Sequence, residues 1–259
     1  MISPDLERFL HFVFQSQSFT LTPFESGGTN RHYRVQADKT YFLKVFQTNA
    51  LQVVSRDLQY SLQLQIAQLG LAAKPVALSE CKRFWLELWL DGDCQHGHIN
   101  HAKLLTLAHA MAAIHSLPIQ AKALDLQAEW LRYLDLADMD IALFQHQMDT
   151  LLKLYQSSND SCFCHNDLHL SHIIRGQHLI ILDWEYAATG NRYFDLAGCI
   201  QVNQLNAGQS KIFLEAYSQY SQRDSEVVER FTMAMIQVVD FTSQLWHNAY
   251  NKVQEQIKS

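Results

Sequence analysis

Between His165 and Asp183 the sequence HNDLHLSHIIRGQHLIILD gathers histidines and carboxylates around two short apolar runs. Carboxylates accept protons and bind hard cations, and an imidazole can do either with softer preferences. Asp167 and His172 precede the first run, Asp183 ends the second, and Gly176 to His178 offer a turn between them. Antiparallel strands stand about 5 Å apart, so the hairpin should bring His172 opposite Asp183 to within a residue or two. Two carboxylates and an imidazole could then hold a divalent ion beside a second acidic group able to take a proton. A zinc or manganese hydrolase site made of His165, Asp167, His169 and His172 is an alternative, although their spacing matches no helical histidine pair. Solvated polar residues with no joint role are a third reading.

The elements around this hairpin differ on its two sides. After a short first helix, Phe19 to Gly92 reads mostly as strands: YRVQADKTYFLKVF is two alternating runs around ADKT, with Phe42, Lys44 and Phe46 on one face. LQVVSRDLQYSLQLQIAQLG then places Leu58, Leu62, Ile66 and Leu69 at helical spacing and stops at Gly70. PVALSE and RFWLELWLDG follow as strands. From residue 101 helices dominate: HAKLLTLAHAMAAIHSLP ending at Pro118, a stretch from Met139 to Tyr155, and two more from Ser210 to Tyr220 and Ser225 to Lys252. The pattern predicts a sheet-rich unit over residues 1–91 and a helical unit over 92–259 that contains the hairpin, two lobes sharing a cleft.

Composition limits the partners. Hydrophobic residues make up 48% of the 259, charged residues 18%, and glycine and proline number nine and four, the balance of an ordered globular chain. Five scattered cysteines argue against a disulfide framework and for a reducing compartment, so a cytoplasmic location is expected. Cys162 and Cys164 suit no common zinc knuckle and read as buried small residues, and His109 and His115 as packed helix residues. Residues 1–100 balance nine basic against nine acidic side chains, while 101–259 hold 11 against 17, so the net charge of −6 lies in the later part. That surface disfavours nucleic acid and anionic membranes and tolerates a small cation.

The block FCHNDLHLSHIIRGQHLIILDWEYAATGNRYFDLA resembles the core of the aminoglycoside phosphotransferase and choline kinase superfamily, relatives of the protein kinases. Its DWEYAATGNRYFDLA portion is most similar to the thiamine and choline kinase branch. SGGTNRHYRV resembles that family's phosphate loop, YFLKVF its strand lysine, LELWLDG its hinge and LAHAMAAIHSLP its first large-lobe helix. The resemblance implies an α+β, two-lobed protein kinase-like fold, with a small antiparallel-sheet N-lobe and a larger, mainly helical C-lobe carrying a short catalytic hairpin. It implies ATP with Mg2+ as cofactors and transfer of the γ-phosphoryl group to a hydroxyl of a small cationic metabolite, thiamine first and choline or ethanolamine next.

Carried over by position, Asp167 is the catalytic aspartate, Asp183 the metal ligand with His172 beside it, and Lys44 the contact to the inner phosphates. Gly27, Gly28 and Asn30 shape the phosphate loop, and the backbone of Glu87, Leu88 and Trp89 borders the adenine. His165 and Asp195 are expected to stabilise the loop. Trp184, Trp246 and Glu185 are candidates for the acceptor site, as an aromatic wall and an anion for a cation. Two positions depart from the family pattern. His172 replaces an asparagine and favours Mn2+ over Mg2+. Gln59 stands where a glutamate would pair with the lysine. Together they raise the alternative of a pseudokinase that binds nucleotide or metabolite without turnover.

Overall fold

A computed structural model describes residues 2–15, 17–24, 30–47, 51, 55–158, 160–175 and 179–258. Gly27, Gly28 and the hairpin turn at 176–178 lie outside the described residues. The chain forms two compact units, Met1–Asp93 with Ile174–Leu182, and Cys94–Ile173 with Asp183–Ser259. The sequence pattern predicts a single junction at residue 91; here the first unit runs to Asp93 and also takes up a later segment. The hairpin strands, however, group with the first unit instead of the helices around them.

In the first unit α1 (Pro4–Val13) starts at Ser3, whose hydroxyl accepts the Leu6 N–H, with proline in its first turn. A five-stranded antiparallel sheet follows in the order β1-β2-β3-β5-β4, from β1 (Thr20–Phe24), β2 (Arg31–Gln36), β3 (Thr40–Val45), β4 (Pro75–Leu78) and β5 (Phe84–Leu88). The alternation read from β3 holds: Tyr41, Leu43 and Val45 are buried with Leu10, Phe14, Val35, Phe84 and Leu86, so α1 covers that face. Phe42 and Lys44 share the more open face, where His32, the register partner of Lys44, stacks on Phe42 at 5.1 Å.

Helix α2 (Arg56–Gln68) lies where the periodicity places it, but with another side inward. Leu58 and Leu69 are exposed, whereas Arg56, Gln59, Gln63 and Ile66 are buried. Its buried polar side chains have partners: Arg56 donates to Gln59 and lies over the Phe46 ring, and Gln63 reaches a buried carboxylate. Gln63 Nε2 donates to Glu87 Oε2 at 2.7 Å and to the Ala73 carbonyl at 3.0 Å. Strands β8 (Ile173–Arg175) and β9 (Leu179–Ile181) form the hairpin. Its membership of this unit has a local cause. The Ile181 N–H donates to the Leu71 carbonyl at 2.8 Å, and a Cβ on Gly92, at φ +148°, would meet Ile174 Cγ2 at 2.5 Å.

A two-residue strand, β6 (Asp93–Cys94), stands at the division between the units. The second unit contains α3 (His101–His115), α4 (Leu126–Leu136), α5 (Gln145–Gln156), α6 (Arg192–Val202), α7 (Ala207–Ser221) and the long α8 (Ser225–Lys258). Helix α8 packs against α4 to α7, and α3 packs on α7. The fully buried Trp130 ties α4 to α8 through its Nε1–H bond to Thr242 at 2.8 Å. The helix expected from Met139 begins only at Gln145, because Asp140 instead caps a short 3-10 turn, Ile141–Leu143. Strand β7 (Ser161–Cys164) pairs antiparallel with β10 (Ala188–Asn191), and α6 begins directly after β10. The predicted class therefore holds, a small antiparallel-sheet unit and a larger helical one.

Candidate active site

Strand β7 delivers the chain into the His165–Asp167 loop, which is fastened from two sides. Asp195, in the first turn of α6, accepts the Asn166 N–H on Oδ1 and the His165 N–H on Oδ2, both at 2.8 Å. Asn166 adopts a left-handed conformation, φ 63°, which asparagine tolerates better than most residues. Its Nδ2 donates to the Tyr186 carbonyl at 2.9 Å, while its buried Oδ1 has no hydrogen-bond partner. On the other side Asn203, just past α6, accepts the Leu170 N–H and donates to the Leu168 carbonyl, each at 2.8 Å. Asp167 is thus held between two backbone clamps.

The histidines divide into separate roles. His165 is fully buried, lies 4.8 Å from the Trp184 ring, and its Nδ1 accepts the Asp167 N–H at 3.3 Å. His169 caps the 3-10 turn Leu170–His172 by accepting the Ser171 N–H at 3.2 Å. His172 Nδ1 lies 3.0 Å from the Asp167 carbonyl. A carbonyl only accepts, so Nδ1 carries a proton here, and Nε2 faces Asp183 Oδ2, 3.9 Å away. The four histidine-loop residues do not converge as one metal cage. Among the described residues, the group of three metal-ligand side chains close enough to share an ion is His115, Cys162 and Cys164. Both ring nitrogens of His115 there are already hydrogen-bonded, to Tyr217 and Asp195.

Asp183 begins the 3-10 turn Trp184–Tyr186 in a left-handed conformation, φ 64°, at the end of the hairpin. Burial, and then the carboxylates of Asp183, Glu185 and Asp195, push the Asp167 carboxyl up to about 8. A carboxyl so placed keeps its proton through neutral pH and can act as a base only in its ionised form. Asp183 Oδ2 and His172 Nε2 offer one hard oxygen and one imidazole nitrogen. That donor pair would suit Mn2+ better than Mg2+, because imidazole nitrogen is the softer ligand.

The other expected residues are spread over both units. Lys44 is on the open face of β3, and Asn30 Oδ1 accepts the Gln47 N–H at 3.4 Å. Glu87 is buried, taking hydrogen bonds from Gln63 and from Trp85 Nε1. The Leu88 and Trp89 N–H groups donate to the Lys74 and Thr40 carbonyls. Gln59 is buried and accepts from Arg56 Nη1 at 2.7 Å.

Trp184 is 4% exposed and stacks on Phe163 at 5.9 Å, so it forms the floor of the loop and not an accessible wall. Trp246 on α8 remains partly exposed; it stacks on Tyr250 at 5.1 Å and donates from Nε1 to the Tyr186 hydroxyl at 3.1 Å. Tyr186 and Tyr250 were missing from the expected set, and the only signal for them was a tyrosine next to Glu185 and a four-residue helical step from Trp246. Asn203 carried no sequence signal.

The chain belongs to the phosphotransferase enzyme family, whose model it matches over residues 20–231. A curated relative, a LicA homolog of Metamycoplasma hominis, is 30% identical over 134 residues, 46% of this chain and 54% of that protein. The chain thus matches about half the length of that relative. Among solved structures, the choline kinase LicA of Streptococcus pneumoniae aligns over 97% of both chains with a TM-score of 0.71 at 18% identity. An ethanolamine kinase of Plasmodium vivax aligns over 93% of this chain and 82% of its own, with a TM-score of 0.74 at 14% identity. No helix among the described residues is long and apolar enough to cross a membrane.

Proposed function

We propose that this protein transfers the γ-phosphoryl group of ATP to the hydroxyl of a small cationic alcohol. The observation that carries the reading is the arrangement around His172, which bonds the Asp167 carbonyl with one nitrogen and turns the other toward Asp183. Asp167 orients the acceptor hydroxyl and takes its proton as the new oxygen–phosphorus bond forms and the bond to the leaving ADP breaks. Asp183 and His172 are the residues to hold a divalent ion, whose contribution is neutralising charge on the phosphates. Lys44 adds a fixed cation for the inner phosphates, with Asn30 and the backbone of Glu87 to Trp89 bordering the nucleotide.

Glu185 with the Tyr186, Trp246 and Tyr250 rings is the acceptor site on this reading. An anion beside electron-rich faces suits an ammonium or quaternary ammonium group. Choline and ethanolamine, the acceptors in the names of the similar structures, suit such a site, and thiamine, the acceptor that the family resemblance puts first, belongs in the same panel. ADP release with choline, ethanolamine and thiamine, each with Mg2+ and with Mn2+, tests the proposal. Turnover on at least one is expected. Nucleotide binding without turnover on any acceptor in either ion would replace it with the pseudokinase reading.

A further inference from the structure

Asp195 holds the catalytic loop, and what holds Asp195 is a buried chain of hydrogen bonds. Its Oδ2, which accepts the His165 N–H, also lies 3.0 Å from His115 Nε2. His115 Nδ1 lies 2.8 Å from the Tyr217 hydroxyl, and Arg192 Nη1 donates to that hydroxyl at 2.8 Å. Arg192 is anchored by Asp160 through Nε at 3.1 Å, and its backbone N–H donates to the Asp160 carbonyl at 3.1 Å. His115, Arg192, Asp195 and Tyr217 are all buried. Four elements meet here: α3 supplies His115, α7 Tyr217, α6 Arg192 and Asp195, and the segment before β7 Asp160.

We propose that Arg192 and Tyr217 select the Nε2–H tautomer of His115 and so keep Asp195 clamped to the backbone of His165 and Asn166. Burial pushes His115 below its usual range, so the ring is neutral and has a single N–H. Which nitrogen carries it depends on what the other meets. Arginine is only a donor. With its oxygen engaged by Arg192, Tyr217 turns its own proton to Nδ1. Burial also pushes the Tyr217 hydroxyl up, so that proton stays in place. The other tautomer would aim an Nδ1–H at an oxygen already taking a donor, leave the Tyr217 proton without that acceptor, and set the Nε2 lone pair against the Asp195 carboxylate. Each is a buried polar mismatch. His115, Tyr217 and Arg192 therefore act on Asp167 through Asp195 and the loop, as positioning residues.

The activity arm of the test rests on the kinase reading; the spectroscopic arm does not. Long-range proton–nitrogen NMR of the full chain, with the His115 ring assigned by its loss in His115→Gln, should show a neutral ring protonated at Nε2. An Nδ1–H ring or an imidazolium in the wild-type protein would overturn the proposal, whatever the acceptor. In Tyr217→Phe the Nε2–H preference should weaken and kcat should fall about 10-fold or more with KM for both substrates unchanged, as expected for a wrongly oriented imidazole.

In the His115→Gln background the amide supplies an N–H without help from Tyr217, so adding Tyr217→Phe should cost less than about 2-fold in kcat. An equal loss in both backgrounds would mean that Tyr217 acts by packing and would refute the tautomer mechanism. If no acceptor is phosphorylated, the functional reading fails while the NMR result still decides this one.

Discussion

Replacing Asp167 with asparagine should abolish chemistry and stabilise the fold at once, with the stabilisation confined to higher pH. The folded chain holds this carboxyl at about 8 against a usual 3.8. Between those values the folded protein keeps a proton that the unfolded chain has lost. Stability is therefore fully present below the unfolded value and falls as pH rises toward the folded one. At pH 7 the full linkage cost is about 4 kcal/mol, and allowing for solvent access to a half-buried group leaves ~2 kcal/mol.

Asparagine has nearly the same shape and no charge to bury. Thermal unfolding of the metal-free protein should give Asp167→Asn a Tm about 4–8 °C above wild type near pH 8.5 and no difference near pH 4. Activity should fall on the order of 10²–10⁴-fold. A variant less stable than wild type at high pH, or equally stabilised at both, would refute the account of Asp167 as a carboxyl destabilised by burial beside Asp183, Glu185 and Asp195.

Three further substitutions probe the rest of the site. His172→Asn exchanges an imidazole nitrogen for an amide oxygen, so the ratio of kcat/KM with Mg2+ to that with Mn2+ should rise about 10-fold; an unchanged ratio would remove His172 from the ion. Trp246→Ala takes away the ring face stacked on Tyr250, and the acceptor KM should rise about 5–30-fold while the ATP KM stays put. Equal effects on both would show a general packing defect. Asn203→Ala removes the clamp on Leu168 and Leu170 and should cost ~2–4 kcal/mol in urea unfolding, and a change within error would show the loop to be held elsewhere.

Much of this was legible before any coordinates. The β2–β3 hairpin, the β8–β9 hairpin and the approach of His172 to Asp183 follow from side-chain alternation and turn residues, because strand pairing is a local geometric consequence of sequence. The α2 face was misread because its period of leucines is real but its buried side answers to Glu87, a residue on another strand. The four-residue strands β7 and β10 pair two segments far apart in the chain, and neither is long enough to show a period. Trp184 looked like an acceptor residue because aromatic character is visible in sequence, whereas its packing between Phe163 and His165 is not. Asn203, Tyr217 and Arg192 act through partners distant in sequence, where a single chain gives no signal.

His172 is the position where the structure changes the argument most. An asparagine would offer amide N–H donors and a carbonyl oxygen at this place in the family pattern; an imidazole offers two ring nitrogens fixed on opposite sides of a rigid ring. Here Nδ1 donates to the Asp167 carbonyl and Nε2 is turned toward Asp183. The connection that braces Asp167 thus survives the substitution, made to its main chain, and what changes is the kind of atom offered to an ion. A defect of turnover would require Asp167 or Asp183 to lose its support. Asp167 instead gains support from Asp195 and Asn203, neither of which depends on residue 172. The departure from the family pattern therefore predicts, on the kinase reading, a shift in ion preference with turnover retained, and a metal titration of kcat is the measurement that checks it.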